Sequence, residues 1–116
     1  MIQKIKDKAN IILGTMVSMM SFEAPASVVD EAGQCTEAHT LCMINRLTKL
    51  LILVGDHQQL PPVVREHSGY EQGTAVSALQ RLFLLAFPST MLATQYRMFP
   101  SIACFPNNLF LSLIHI

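Results

Sequence analysis

VVDEAG, residues 28–33, runs two β-branched residues directly into two adjacent carboxylates and then into two small residues. Valine is typical of strands, and a strand that is buried on both faces has a short, continuous apolar sequence. Ligands of parallel sheets bind beyond the carboxyl ends of the strands, where polar side chains are needed. This stretch therefore predicts a strand that carries Asp30 and Glu31 to the edge of a sheet.

Other short apolar runs alternate with segments that have helical spacing. Strands are predicted at residues 10–15, 27–32, 49–56 and 89–97. Helices are predicted at residues 36–47 and 74–87, the latter mostly buried, and a shorter one at 100–110. Thr36 has the side chain of an N-cap for the first helix. Such alternation favours an α/β fold with a parallel sheet and right-handed crossover connections.

The composition is that of part of a larger domain. Charged residues make up 14% of the 116 residues, against about 25% in an ordinary soluble domain. The net charge is zero, so this segment has no basic surface of its own for nucleic acid. No apolar stretch, residues 50–54 included, approaches the roughly 20 residues that a membrane-spanning helix needs. Three irregularly spaced cysteines argue against a disulfide framework and favour a reducing, cytoplasmic or nuclear environment.

Polar side chains follow three of the predicted strands: Asp30 and Glu31, then residues 56–59, then residues 95–97. If the strands are parallel neighbours, these groups lie at one edge. One carboxylate can then hold Mg²⁺ while its neighbour deprotonates a water, with the small Ala32 or Gly33 leaving room for substrate. The alternative is a solvated acidic pair at a helix N-terminus.

The second and third groups suit phosphate chemistry. The Gln59 amide can donate to a phosphate and accept from a water, and the Arg97 guanidinium matches phosphate geometry. Tyr96 has a ring that can stack on a base. The alternatives are a polar turn for residues 56–59, a surface ion pair for Arg97 and core packing for Tyr96.

DEAGQ (30–34), VGDHQQLPP (54–62) and QYRMFPSIACFPNNLF (95–110), in this order and at this spacing, resemble the superfamily 1 helicases. The similarity is greatest to the nonsense-mediated-decay helicase group and its senataxin-like relatives, and it covers roughly residues 10–110. It implies a RecA-like fold of the P-loop NTPase superfamily, an ATPase that uses ATP and Mg²⁺, and action on RNA or DNA.

The same resemblance implies a role for individual residues of the first two motifs. DEAG corresponds to the Walker B motif, so Asp30 would hold Mg²⁺ and Glu31 would be the general base. Gln59 would sense the γ-phosphate and couple it to nucleic-acid binding.

In the third motif, Arg97 would contact the γ-phosphate, Tyr96 would lie near the nucleotide base, and Gln95 would be a neighbour of that site. The segment NIILGTMVS resembles the part of these helicases that touches the nucleic-acid backbone, and it makes Thr15 the candidate contact.

The chain also departs from the family pattern. Phe99 stands where the family commonly has histidine, which we interpret as a packing variation. The 116 residues contain no G-x-x-x-x-G-K-[ST] phosphate-binding loop and no second RecA-like domain. Residues 1–116 are therefore expected to be the C-terminal part of an incomplete RecA-like domain, from the Walker B motif onward, that needs the remainder of the helicase core. We expect the isolated chain not to hydrolyse ATP. The alternative is a non-catalytic remnant or interaction module that retains the fold.

Overall fold

The computed structural model describes residues 8–64, 73–106 and 114–115. The chain consists of two compact units, Met1–Arg81 and Leu82–Ile116. None of the helices in the described ranges is long and apolar enough to cross a membrane.

The first unit is built on two parallel strands. Helix α1 (Met16–Met19) precedes strand β1 (Ala26–Val29), a 3-10 turn (Ala32–Gln34), helix α2 (Glu37–Leu41) and strand β2 (Leu50–Leu53). Strands β1 and β2 pair in parallel, with Ala26 opposite Leu50 and Val29 opposite Leu53. The predicted parallel pairing of these two runs is therefore confirmed. Because both strands run the same way, the residues that follow them lie at the same edge of the sheet.

Only one face of this pair of strands is covered within the described residues. Val29 is buried at 6% exposure, whereas Val28 on the opposite face is 66% exposed. Leu50 and Ile52 of β2 are exposed as well. Burial of both faces is the expectation for the larger domain; within the described residues, alternate side chains of each strand point to opposite faces and only one face is packed.

The predicted strand at residues 10–15 is wrong. Residues 11–15 have no regular structure, and Leu13 is 91% exposed. Instead of pairing with a neighbour, the end of this run forms the N-cap of α1: the Thr15 hydroxyl accepts a hydrogen bond from the Ser18 amide at 3.4 Å. Apolar composition alone does not make a strand when no adjacent strand takes up its backbone hydrogen bonds.

The first predicted helix begins as expected and ends early. Thr36 is its N-cap, with its hydroxyl accepting from the His39 amide at 3.3 Å. The helix α2 ends at Leu41, and the chain then turns, with the Met43 amide donating to the Thr40 carbonyl and the Asn45 side chain organising the next turn. Its Oδ1 accepts from the Leu47 amide at 2.9 Å and so favours a turn over further helix.

Helix α3 (Ala78–Leu84) is the described form of the helix predicted at 74–87. The prediction that this helix is mostly buried is wrong for its C-terminal half, because Phe83 is 49% and Leu84 71% exposed. The helix ends in a Schellman-type turn, in which the Ala86 amide donates to the Phe83 carbonyl and the Phe87 amide to that of Leu82.

The second unit contains a smaller parallel pair. Strand β3 (Thr94–Gln95) pairs with strand β4 (Ile114–His115), and helix α4 (Pro100–Pro106) lies between them in sequence. The strand predicted at 89–97 is thus reduced to two residues. Its C-terminal end is set by Gln95, whose side chain closes a turn directly after β3.

Candidate functional site

Asp30 and Glu31 directly follow β1, as the sequence predicts, and both side chains are exposed. Glu31 has a left-handed backbone, with φ 52° and ψ 38°. For a residue other than glycine this conformation is strained by about 1–2 kcal/mol. The Asp30 carboxylate stabilises it by accepting a hydrogen bond from the Glu31 amide at 3.0 Å. Backbone strain of this kind is typical of functional positions.

Gln34, which the sequence analysis did not single out, holds Glu31 from the other side. The Gln34 amide donates to the Glu31 carbonyl at 2.9 Å, and its Nε2 donates to Glu31 Oε2 at 3.3 Å. The Cys35 thiol also donates to the Glu31 carbonyl, at 3.8 Å, and burial raises the pKa of this thiol. The three-residue separation of Glu31 and Gln34 in a tight turn was the signal that could have identified this partner.

The loop after β2 is organised by Asp56. Its half-buried carboxylate accepts from the Gln58 amide at 2.8 Å through Oδ1 and from Gln59 Nε2 at 3.0 Å through Oδ2. The first bond forms a turn of the kind that aspartate favours. The second holds the side chain of Gln59, the predicted phosphate sensor, within its own loop.

The loops after β1 and β2 pack backbone against backbone. The Ala32 amide donates to the Val54 carbonyl at 2.8 Å. A Cβ at Gly33 would lie 2.6 Å from the Asp56 carbonyl oxygen, and one at Gly55 would lie 3.0 Å from the Ala32 nitrogen. The small residues of DEAG therefore make room for the neighbouring loop, not for substrate as the sequence suggested. The two predicted motifs form one contiguous structure.

An ion pair joins the helices that follow the two loops. Arg81 on α3 donates through Nε to both carboxylate oxygens of Glu37 on α2, at 2.8 and 2.9 Å. This hydrogen-bonded carboxylate, together with its charge, raises the pKa of Arg81. Neither residue was singled out from the sequence, since a pair separated by 44 positions leaves no local pattern.

The third motif forms a turn around the Gln95 side chain. Its Oε1 accepts from the Arg97 amide at 3.0 Å and from the Met98 amide at 2.8 Å, and its Nε2 donates to the Met98 carbonyl at 2.8 Å. Tyr96 is 84% exposed, and Arg97 is exposed too. The turn belongs to the second unit, so its predicted convergence with Asp30 stays a prediction.

The carboxylate of Asp30 fits a magnesium site. Mg²⁺ is usually held by one or two carboxylates together with waters and substrate phosphates, not by a complete cage of protein ligands. Within residues 8–64, 73–106 and 114–115, no group of three or more His, Cys, Asp or Glu side chains that could hold a metal occurs. Thr15 is exposed at the start of α1, and its contact with nucleic acid stays a prediction.

Comparison with known proteins identifies relatives of the chain. The model of the AAA domain family matches residues 1–67. ATP-dependent helicase NAM7 of Saccharomyces cerevisiae is 35% identical over 111 residues, which are 92% of this chain and 11% of the relative. Regulator of nonsense transcripts 1 of Caenorhabditis elegans is 42% identical over 83 residues, covering 72% of this chain and 8% of the relative.

A third relative is 5'-3' DNA helicase ZGRF1 of Mus musculus, 40% identical over 88 residues that cover 74% of this chain and 5% of the relative. The chain thus spans about a tenth or less of the length of these relatives. It belongs to the AAA domain family and, within it, to the superfamily 1 helicases of the nonsense-mediated-decay group.

Proposed function

We propose that the chain is part of the ATP-hydrolysing core of a nucleic-acid helicase, in which hydrolysis drives translocation along RNA or DNA and strand unwinding. The observation that supports the proposal is the backbone packing of the loops after β1 and β2, in which the Ala32 amide donates to the Val54 carbonyl and Gly33 lies against the Asp56 carbonyl oxygen. The names of the relatives, an ATP-dependent helicase and a DNA helicase, support the same class of activity.

Asp30 and Glu31 divide the acidic chemistry between them in this proposal. Asp30 would hold Mg²⁺, and the ion would supply positive charge to the phosphate oxygens of ATP. Glu31 accepts a proton from the attacking water through its carboxylate. Hydrogen bonds with Asp30 and Gln34 hold Glu31, whose left-handed backbone sets the direction in which its side chain leaves the main chain.

The remaining site residues respond to the nucleotide and the nucleic acid. Gln59 senses the γ-phosphate, and the Arg97 guanidinium contacts the same phosphate and offsets its negative charge. Tyr96 lies near the base, and the Gln95 turn supports both residues. Thr15 contacts the nucleic-acid backbone with its exposed hydroxyl.

The remainder of the helicase core, including a phosphate-binding loop, completes the site in this proposal. The protein then acts in the cytoplasm or the nucleus, where its nucleic-acid substrates are found. Since the net charge of these 116 residues is zero, much of the attraction to nucleic acid has to come from that remainder.

A segment exchange tests the proposal. The matching segment of the yeast helicase NAM7 is replaced by this chain, so that the host supplies the rest of the core. We expect nucleic-acid-stimulated ATP hydrolysis, and we expect Glu31→Gln to lower kcat by about 100-fold or more, as the loss of a general base does. Glu23→Gln is the matched control, because Glu23 is an exposed acid that pairs only with Arg46 in the described structure. An exchanged protein whose kcat is unaffected by Glu31→Gln contradicts the proposal.

A non-catalytic interaction module is the second candidate. The observation that favours it is the exposed apolar face of the sheet, which includes Val28, Leu50 and Ile52. It predicts that the exchanged helicase folds, as judged by circular dichroism, but gives no ATP hydrolysis that depends on Glu31.

A further inference from the structure

We propose that Asp56 is a positioning residue that fixes the side-chain amide of Gln59 in one orientation; the catalytic consequence of this inference rests on the proposed function. Asp56 was not assigned a role by the sequence motifs. Its carboxylate is half-buried and binds two partners in its own loop, the Gln58 amide and Gln59 Nε2.

The chemistry of the pair decides which way the amide faces. An ionised carboxylate can only accept hydrogen bonds, whereas a glutamine amide has a donor end and an acceptor end. With Nε2 toward Asp56, the two side chains form a hydrogen bond of 3.0 Å. The flipped amide would place two acceptor oxygens against each other, so the carboxylate selects one of the two orientations.

The selected orientation determines what Gln59 can offer to a ligand. One N–H of Nε2 is taken by Asp56, and Oε1 makes no hydrogen bond within the described part of the chain. Gln59 thus keeps an acceptor for a water and one remaining N–H for a phosphate oxygen. An amide that rotates between its two orientations would offer this pattern only part of the time.

Asp56 also connects Gln59 to the loop of Glu31. The Asp56 carbonyl oxygen lies against Gly33, with so little space that a Cβ there would approach it to 2.6 Å. The side chain of Asp56 therefore holds Gln59 while its backbone contacts DEAG. One residue sets the position of the sensor relative to the general base.

Asp56→Asn is the informative substitution. Asparagine has nearly the same shape, and its Oδ1 can still accept from the Gln58 amide, so the turn is kept. Its Nδ2 is a donor, however, and would face the donor end of Gln59. Gln59 can pair with this Nδ2 only through Oε1, in the flipped orientation, so the variant reverses the preferred orientation of the amide and keeps the loop.

Nuclear magnetic resonance of the 15N-labelled, 116-residue chain tests the orientation directly. In the wild type we expect one Gln59 Nε2 proton to be shifted downfield and protected from exchange with water. Asp56→Asn should abolish both effects, and the Glu23→Gln control should leave them unchanged. Gln59 side-chain signals that are the same in the wild type and in Asp56→Asn would overturn the inference.

A double-mutant cycle in the exchanged helicase tests the consequence for catalysis. We expect Asp56→Asn to lower kcat for ATP about tenfold, the size of one hydrogen bond, with little change in KM. In a Gln59→Ala background the same substitution should change kcat less than about twofold, because residues that act through one another are not additive. Effects that multiply would show that Asp56 acts independently of Gln59 and would overturn the inference.

The two measurements separate this inference from the proposed function. If Gln59→Ala alone leaves kcat unchanged, the proposed role of Gln59 as a sensor is wrong. The side-chain spectrum then still decides whether Asp56 orients the amide, since it requires neither ATP nor hydrolysis.

Discussion

The loops after β1 and β2 obtain their shape differently from the loop after β3. In the first unit, the backbone of Asp56 packs on Gly33, and Gly55 packs on Ala32. In the second unit, the turn after Gln95 is held by that residue's own side chain through three hydrogen bonds. The first two loops contact each other backbone to backbone, whereas the third is closed by a side chain of its own.

This difference has a consequence for the proposed mechanism. A movement of the Gln59 loop has to be transmitted to Glu31, because no side chain separates the two backbones at Gly33. The turn that carries Arg97 is closed by hydrogen bonds between the Gln95 side chain and the backbone of residues 97 and 98.

The largest effect is expected from Gly33→Ala, which breaks the contact between the two loops. The new methyl group would lie 2.6 Å from the Asp56 carbonyl oxygen, and a backbone atom cannot move aside as a side chain can. We expect the free energy of unfolding to fall by about 3 kcal/mol, at the upper end for overpacking. Urea denaturation followed by circular dichroism measures this change.

Gly14→Ala is the control for that experiment. A Cβ at Gly14 would also be crowded, at 2.8 Å from Ser18 Oγ and 2.9 Å from Met19 Sδ, but these are side-chain atoms that can rotate away. We expect a loss below about 1 kcal/mol there. Equal losses for the two substitutions would show that backbone packing does not distinguish the DEAG loop.

A smaller effect is expected from Gln95→Ala, which removes the side chain that closes the third turn. The Arg97 and Met98 amides lose their acceptor, so we expect their hydrogen exchange to accelerate about 10- to 30-fold, for a local loss of roughly 1.5–2 kcal/mol. Gln95→Glu keeps the acceptor oxygens but cannot donate to the Met98 carbonyl. The exchange rates in this variant should therefore lie between those of the wild type and those of Gln95→Ala. Exchange that is unchanged in Gln95→Ala would mean that the turn is held by other contacts.

The sequence was sufficient for the parts of the fold that depend on local patterns. The strands that lead to Asp30 and Asp56, their parallel pairing and the N-cap at Thr36 were predicted correctly. The strand at residues 10–15 was not, because a strand is defined by a partner that its own sequence does not contain.

For the candidate site too, the sequence predicted the features that depend on local patterns and missed those that depend on distant residues. Its motifs were found because they are contiguous in sequence, but the hydrogen bond from Gln59 to Asp56 and the ion pair between Glu37 and Arg81 were missed. The reason why position 33 needs a glycine was also predicted wrongly. The atom that excludes a side chain there is the Asp56 carbonyl oxygen, which belongs to a loop more than twenty residues away.

The smallest effect is expected in the alkylation rate of Cys35. The thiol of this residue lies against the Glu31 loop, so its rate of modification measures how well that loop is packed. Burial disfavours the thiolate and raises the pKa of Cys35, and only the thiolate is alkylated. At pH 8 we therefore expect iodoacetamide to modify Cys35 more slowly in the folded chain than in urea, with the difference in rate narrowing as the pH rises through the pKa of the folded state. Peptide mass spectrometry measures the rates, and the exposed Cys42 is the internal control, whose rate should differ less between the two conditions.

In Gly33→Ala the protection of Cys35 should disappear if that substitution separates the two loops. If Cys35 stays protected in Gly33→Ala, the substitution destabilises another part of the chain. The Glu31 turn then keeps its shape without the contact to the Asp56 loop.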